Sequence, residues 1–285
     1  MKLISYISSL IIGASLILVF EPFNFWFLTF FIPLSLYFLI KDHDIKSSFY
    51  LGWFFGFGLW LIGIFWIENS IYFYGGATKS VSYFLVICLS AFLALLNGIF
   101  FGIFAYCKTK TNFDILFLFP SIWVGSEWLR EFLLSGFPWF YLGYTSLDNF
   151  FFSGFIPIFG VFGMSFILIF IPALIFVLGE SLISSRKKNI SFIYLTIFSL
   201  FLIASFSSYK VEWTTKKDEV NIVIIQPNIS IEEKWSFQGE NESINLFKSK
   251  IKEHSVKSKD KDILSIIFWP EVFLPGLSSK YTKVI

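Results

Sequence analysis

Three groups of residues in this sequence have the type and spacing for chemistry. Glu271 follows Trp269 and Pro270 directly after the apolar run 263–268. The end of a short β-branched run is where open α/β sheets hold ligands and catalytic groups. Apolar walls disfavour the charged form of a carboxylate and so make it a better proton acceptor, which fits a general base. The plainer reading is that Glu271 opens a surface loop. The second group is Glu127, Arg130 and Glu131. Glu127 and Arg130 are three apart, share one helical face and can pair, which makes them affordable near a membrane interface. The stretch that they open, EWLREFLLSGFPWFYLGYTSLDN over 127–149, is rich in Gly, Pro and aromatics. It reads as an interfacial aromatic belt or as a loop that builds a site. The third group is Cys88 and Cys107, both inside one apolar run. Two such thiols exclude a disulfide framework or a zinc site, and nothing in the sequence calls for a metal or an organic cofactor.

The elements that must position these groups belong to two physical regimes. Of 285 residues, 56% are hydrophobic, 22% aromatic and only 15% charged, against about 25% charged in soluble domains. Twenty-three of the 42 charged residues nevertheless fall after residue 208. The first regime is a polytopic α-helical membrane protein, with candidate spans near 3–20, 23–40, 49–67, 81–107, 113–134, 154–179 and 190–207. That is about seven transmembrane helices. Lys2, Lys41, Lys46, Lys108, Lys110 and the run Arg186–Lys188 fall on one side of this array, leaving Lys79 and Arg130 on the other. By the positive-inside rule the N-terminus is cytoplasmic and everything after Tyr209 is extracytoplasmic. A net charge of +2 gives no case for nucleic acid.

The second regime begins as an α/β layer. Val220–Ile225 and Ile263–Phe268 read as buried-type strands, and 236–256 between them reads as a helix with Ile244, Phe247 and Ile251 on one face. Strand, helix and strand make a βαβ unit whose sheet is expected to be covered on both faces. Two strands fall short of that, so the segment reads as the opening of a larger domain.

Four stretches together resemble apolipoprotein N-acyltransferases: FEPFNFWFL (20–28), GFGLWLIGIFWIENSIYFYGG (56–76), EWLREFLLSGFPWFYLGY (127–144), and VNIVIIQPNISIEEKW (220–235) with IIFWPEVFLP (266–275). The resemblance implies a multi-pass protein of the bacterial cytoplasmic membrane, with a transmembrane helical domain at 1–208. Residues 209–285 would be the N-terminal part of an extracytoplasmic carbon–nitrogen hydrolase domain, an incomplete nitrilase-like αββα sandwich. It implies transfer of an acyl chain from a membrane phospholipid to the N-terminal diacylglyceryl-cysteine of a lipoprotein, through a cysteine thioester and a Glu–Lys–Cys triad. Glu271 matches the general base. Trp235 matches a position at the mouth of the active site, and Gly136, Pro138, Trp139 and Tyr144 match the loop that receives substrate lipid.

The family's lysine and cysteine have no counterpart among these 285 residues. Cys88 and Cys107 lie in the membrane run, and Lys280 and Lys283 follow Glu271 too closely. The expectation is an N-terminal portion of such an enzyme, from a split, frameshifted or incompletely delimited gene. It would be inactive alone and completed by a C-terminal fragment. The alternative is a catalytically dead, membrane-anchored homologue that binds lipid or lipoprotein. A transporter is disfavoured, because the sequence has no internal repeat and its membrane acids fall near helix ends.

Overall fold

The computed structural model describes residues 2–133, 136–147, 149–183, 188–217, 220–257 and 264–270. The chain divides into two compact units, Met1–Trp213 and Thr214–Ile285.

In the first unit α1 (Lys2–Ser15) tightens into a 3₁₀ turn at Leu16–Val19, and a second 3₁₀ turn at Trp26–Phe30 leads into α2 (Ile32–Ile40). Pro33 lies in the first turn of α2, where its missing N–H would have no helical partner. Asp44 caps α3 (Ile45–Gly63) by accepting the Ser47 N–H at 3.2 Å. Hydrogen bonds from Ser47 hold the Asp44 carboxyl below the usual carboxylate range. The short α4 (Ile67–Asn69) runs into a π turn at Ser70–Tyr74, and α5 (Lys79–Cys107) follows. A second π turn, Asp114–Leu118, opens α6 (Phe119–Phe132), and the unit ends with α7 (Ile156–Ile183) and α8 (Lys188–Tyr209). The buried Asp114 carboxylate accepts the Thr109 and Lys110 N–H groups at 2.8 and 2.6 Å and so shapes the turn between α5 and α6. Lys108 Nζ donates to the carbonyls of Lys41 and His43, tying that turn to the one between α2 and α3.

Among the described residues each apolar segment expected from the sequence is mostly helical, with non-helical backbone at 20–25 and 64–66. By length and composition four stretches are sufficient to cross a membrane: Ile45–Gly63, Lys79–Cys107, Ser153–Ile183 and Ser191–Tyr209. The other three fall short for local reasons. Leu3–Val19 and Trp26–Ile40 are shorter and contain the 3₁₀ turns, and α6 carries Glu127 and Arg130.

Packing in this unit relies on small residues and rings. Ser9 Oγ donates to the Leu51 carbonyl at 2.6 Å across the α1–α3 contact. Beside it, a Cβ on Gly13 would run into the Phe55 carbonyl, and one on Gly58 into the Leu10 carbonyl. With no gain from removing apolar surface from lipid, such close backbone approach is what holds membrane helices together. Between α3 and α5, Trp53 Nε1 donates to the Ala91 carbonyl and Trp60 Nε1 to Asn97 Oδ1, both at 3.1 Å. The buried rings of Phe55, Phe101, Phe119 and Trp123 meet edge-on or stacked at the centre. Phe84, Ile87, Phe192 and Ile203 lie exposed on α5 and α8.

In the second unit β1 (Val220–Ile224) pairs in parallel with β2 (Leu264–Phe268), with Val220 opposite Leu264 and Ile224 opposite Phe268. The connection contains α9 (Ile231–Lys234) and α10 (Phe237–Lys257), so this is a βαβ unit. The Phe247 ring of α10 packs on Trp269 with centroids 4.8 Å apart. Val220, Ile222, Ile224 and Phe268 are exposed, which is unusual for parallel strands.

Gly58→Ala is expected to cost about 1–3 kcal/mol by forcing α1 from α3. Gly179→Ala, where a Cβ meets nothing within 4 Å, should be neutral or mildly stabilising. Melting of the two variants in detergent checks this; equal midpoints would refute the close contact.

Candidate functional site

The site is built around the two ionisable residues of α6. Glu127 is 2% exposed and Arg130 5%, so neither charge has water as its partner. The sequence spacing let them pair with each other, but they form no ion pair. Each is instead committed to the backbone of the segment after α6. Glu127 Oε1 accepts Trp123 Nε1–H and the Leu142 N–H, both at 2.9 Å. Arg130 donates from Nε to the Phe137 carbonyl at 3.1 Å and from Nη2 to the Trp139 carbonyl at 2.9 Å. Its own carbonyl accepts the Phe137 N–H at 3.0 Å, so Phe137 is held from both sides. The guanidinium lies between two rings, 4.8 Å from the Trp60 centroid and 4.9 Å from that of Tyr141. A planar cation that stacks and forks suits this place, whereas an ammonium serves one point. From α7, Ser165 Oγ accepts the Gly143 N–H at 2.8 Å.

These bonds fix a loop whose chain reverses sharply. Gly136 has φ +91, and a Cβ there would meet the Glu131 carbonyl. Phe140 takes φ +59, a conformation that costs a non-glycine residue about 1–3 kcal/mol unless packing imposes it. The packing is present: its ring meets those of Phe20 at 5.2 Å and Trp60 at 5.9 Å. The two left-handed residues turn Phe137 and Phe140 inward and leave Pro138 and Trp139 outside, with Trp139 41% exposed. Tyr144, 44% exposed, stacks on the buried Tyr141 at 5.7 Å. Glu127 Oε2 and Tyr141 Oη are buried without a hydrogen-bond partner. Such atoms carry a desolvation cost of about 1–3 kcal/mol each unless water reaches them.

Gly136, Pro138, Trp139 and Tyr144 are thus gathered in one loop of the first unit. Trp235 belongs to the second unit, just after α9, and is 61% exposed. A cleft of about 200 Å³ in that unit, lined by Gln226, Pro227, Asn228, Ile229, Lys234 and Pro270, opens past the carboxyl ends of β1 and β2. Glu271 would be the next residue, and it lies outside the described residues, as do Lys280 and Lys283. Cys88 and Cys107 are free and exposed on α5. Sequence reasoning missed Trp60 of α3, Ser165 of α7 and, within the loop itself, Tyr141. The one available signal was Arg130 itself, one of two arginines in the sequence and set in an apolar, aromatic stretch.

Arg130→Lys keeps the charge and loses the fork. It is expected to cost about 1.5–3 kcal/mol, the value of hydrogen bonds from a charged donor, and to open residues 136–144 to chymotrypsin. Melting and limited proteolysis in detergent check this; wild-type behaviour in both would refute the clamp.

Residues 12–174, more than half of the chain, match the family model of the apolipoprotein N-acyltransferase N-terminal domain. An apolipoprotein N-acyltransferase of Pasteurella multocida is 31% identical over 283 residues, covering 98% of this chain and 52% of the relative. One from Coxiella burnetii is 33% identical over 271 residues, covering 94% and 53%. One from Haemophilus influenzae is 29% identical over 285 residues, covering 99% and 52%. The chain spans about half the length of these relatives. The residues that clamp the loop, from Trp60 to Ser165, lie within the matched region, and the chain belongs to the apolipoprotein N-acyltransferase family.

Proposed function

We propose that this chain supplies the membrane body and the opening of the catalytic domain of an apolipoprotein N-acyltransferase. The observation that carries the reading is the Arg130-held loop, built by helices within the family match. In this reading 1–208 is the transmembrane domain, crossing seven times from a cytoplasmic N-terminus. Residues 209–285 begin an extracytoplasmic nitrilase-like sandwich. The exposed apolar side chains of β1 and β2 support a further layer packed over the sheet.

The reaction is acyl transfer in two displacements. A cysteine thiolate attacks an ester carbonyl of a membrane phospholipid, the C–O bond breaks, and a thioester and a lysophospholipid result. The α-amino group of a lipoprotein's diacylglyceryl-cysteine then attacks the thioester, forming an amide and returning the thiol. Glu271 takes the proton from the thiol and later from the amine. A lysine stabilises each tetrahedral oxyanion. In this reading a complementary C-terminal segment supplies that lysine and cysteine. Trp235 flanks the mouth of the site. Gly136, Pro138, Trp139 and Tyr144 form the loop over which substrate lipid passes.

The test is a fusion of this chain, at Ile285, to the remaining half of the Pasteurella multocida relative, in a strain depleted of its own enzyme. Restored triacylated lipoprotein is expected, with Glu271→Gln lowering the rate by about 10²–10⁴-fold, the usual worth of a general base. The 285-residue chain alone should form no thioester. An expressed but inert fusion would favour the catalytically dead homologue that binds lipid or lipoprotein.

A further inference from the structure

In the first unit a polar cleft of about 210 Å³ lies at the other end of α6 from the Arg130-held loop. Asp114, which lines it, stands on the same continuous helical run as Arg130, about 24 Å away at 1.5 Å per residue. The walls come from three places. The end of α2 brings Phe38, Lys41 and Asp42, the turn before α6 brings Lys110, and the last turn of α7 brings Glu180. These turns are held before any ligand arrives. The Asp114 carboxylate is spent on the Thr109 and Lys110 N–H groups, and Lys108 Nζ ties that turn to the Lys41 and His43 carbonyls. Lys110 stands at φ +61 in this turn, a left-handed conformation that lysine rarely adopts.

With Asp114 spent, the charges left in the cleft are Lys41 and Lys110 against Asp42 and Glu180. Opposite charges in one cleft gain by pairing. Yet no ion pair joins any two of them among the described residues. Asp114, Asp42 and Glu180 all act electrostatically on the Tyr37 hydroxyl, so the carboxylates lie round one point. Lys41 Nζ sits over the Phe38 ring, 5.1 Å from its centroid, and the Phe176 ring meets Phe38 edge-on at 4.8 Å.

We propose that this cleft binds an aminoalkyl phosphate, the group that heads an ethanolamine phospholipid and that also occurs free in solution. The phosphate meets Lys41 and Lys110, and the ammonium meets Asp42 and Glu180. A zwitterion satisfies all four charges at once, whereas a simple anion or cation leaves two like charges opposing it. A primary ammonium suits the carboxylates because it carries three N–H donors. A trimethylammonium carries none and calls for open aromatic faces, and the Phe38 face is taken by Lys41. Ile115, Phe176 and Val177 add apolar surface on which the ligand's carbon chain can lie. The site is independent of the acyl-transfer reading, and only its lipid source requires a membrane.

The test uses the full 285-residue chain. In detergent with equimolar phosphatidylethanolamine and phosphatidylcholine of matched acyl chains, native mass spectrometry counts the lipids retained. Phosphatidylethanolamine should be retained several-fold over phosphatidylcholine. Asp42→Asn with Glu180→Gln, both exposed side chains, should bring the two lipids to parity. Lys41→Gln with Lys110→Gln should lower retention of the ethanolamine lipid several-fold. Single Glu180→Gln and Lys110→Gln replace these pairs should either fail to fold. In a second arm, free O-phosphoethanolamine is titrated onto the chain in phosphatidylcholine nanodiscs while melting is followed. A rise in the midpoint that the Asp42→Asn, Glu180→Gln chain loses assigns the site to the free compound. Lipid preference without that rise assigns it to the headgroup. Absence of both effects, or effects that the folded variants leave intact, would overturn the proposal. So would an equal rise with inorganic phosphate, since the ammonium would then play no part.

Discussion

A guanidinium buried among rings and committed to two carbonyls is the constraint on which the first unit's loop depends. Arg130 is removed from water, so its charge must be met inside the protein. The obvious partner, Glu127, lies on the same helical face, yet the two do not pair. Each meets a different part of the next segment: Arg130 the Phe137 and Trp139 carbonyls, Glu127 the Leu142 N–H. The long-range attraction between the charges remains, while their hydrogen-bonding capacity serves the loop. Splitting the pair in this way turns a helix-end charge cluster into a clamp that grips the backbone from Phe137 to Leu142 at both ends.

The clamp works because the helices around it are themselves fixed. Trp60 brings α3 to the guanidinium, and its indole N–H is anchored on Asn97 of α5. Ser165 brings α7 to Gly143. Small residues let α1 approach α3 closely, Gly13 meeting the Phe55 backbone and Gly58 that of Leu10. In an apolar solvent an irregular backbone survives only where protein groups satisfy its donors and acceptors. The loop at 136–147 meets that condition through Glu127, Arg130 and Ser165. A strained Phe140 is tolerable for the same reason, since rings from two other elements over-determine its place.

What could be read from the sequence and what could not divide along physical lines. The apolar runs gave the helices because burial in hydrocarbon depends on composition, and β-branched runs flanking an amphipathic segment gave the βαβ unit. Breaks inside 3–20 and 23–40 were invisible, because hydropathy reports side chains and the 3₁₀ turns are hydrogen-bonding events. The aromatic segment was visible as a composition, with Gly136, Pro138 and Trp139 in its irregular part and Tyr144 in the 3₁₀ turn Leu142–Ser146 that follows. Its mechanism was not visible. The partners of Arg130 are main-chain carbonyls, which have no letter in a sequence, and two rings that arrive from residues 60 and 141. Spacing alone therefore favoured the i, i+3 pair that the structure replaces. Glu271 was singled out by its tripeptide and by the family resemblance, and it lies outside the described residues.

The most direct test of the central claim is amide hydrogen exchange of the full chain in nanodiscs, resolved at Phe137, Leu142 and Gly143. These three N–H groups are bonded to the Arg130 carbonyl, the Glu127 carboxylate and the Ser165 hydroxyl. If the clamp fixes the loop, they exchange as slowly as the interior amides of α6, because opening them requires breaking the buried charge network. Exchange at the rate of an unstructured surface loop, with α6 still protected, would contradict it.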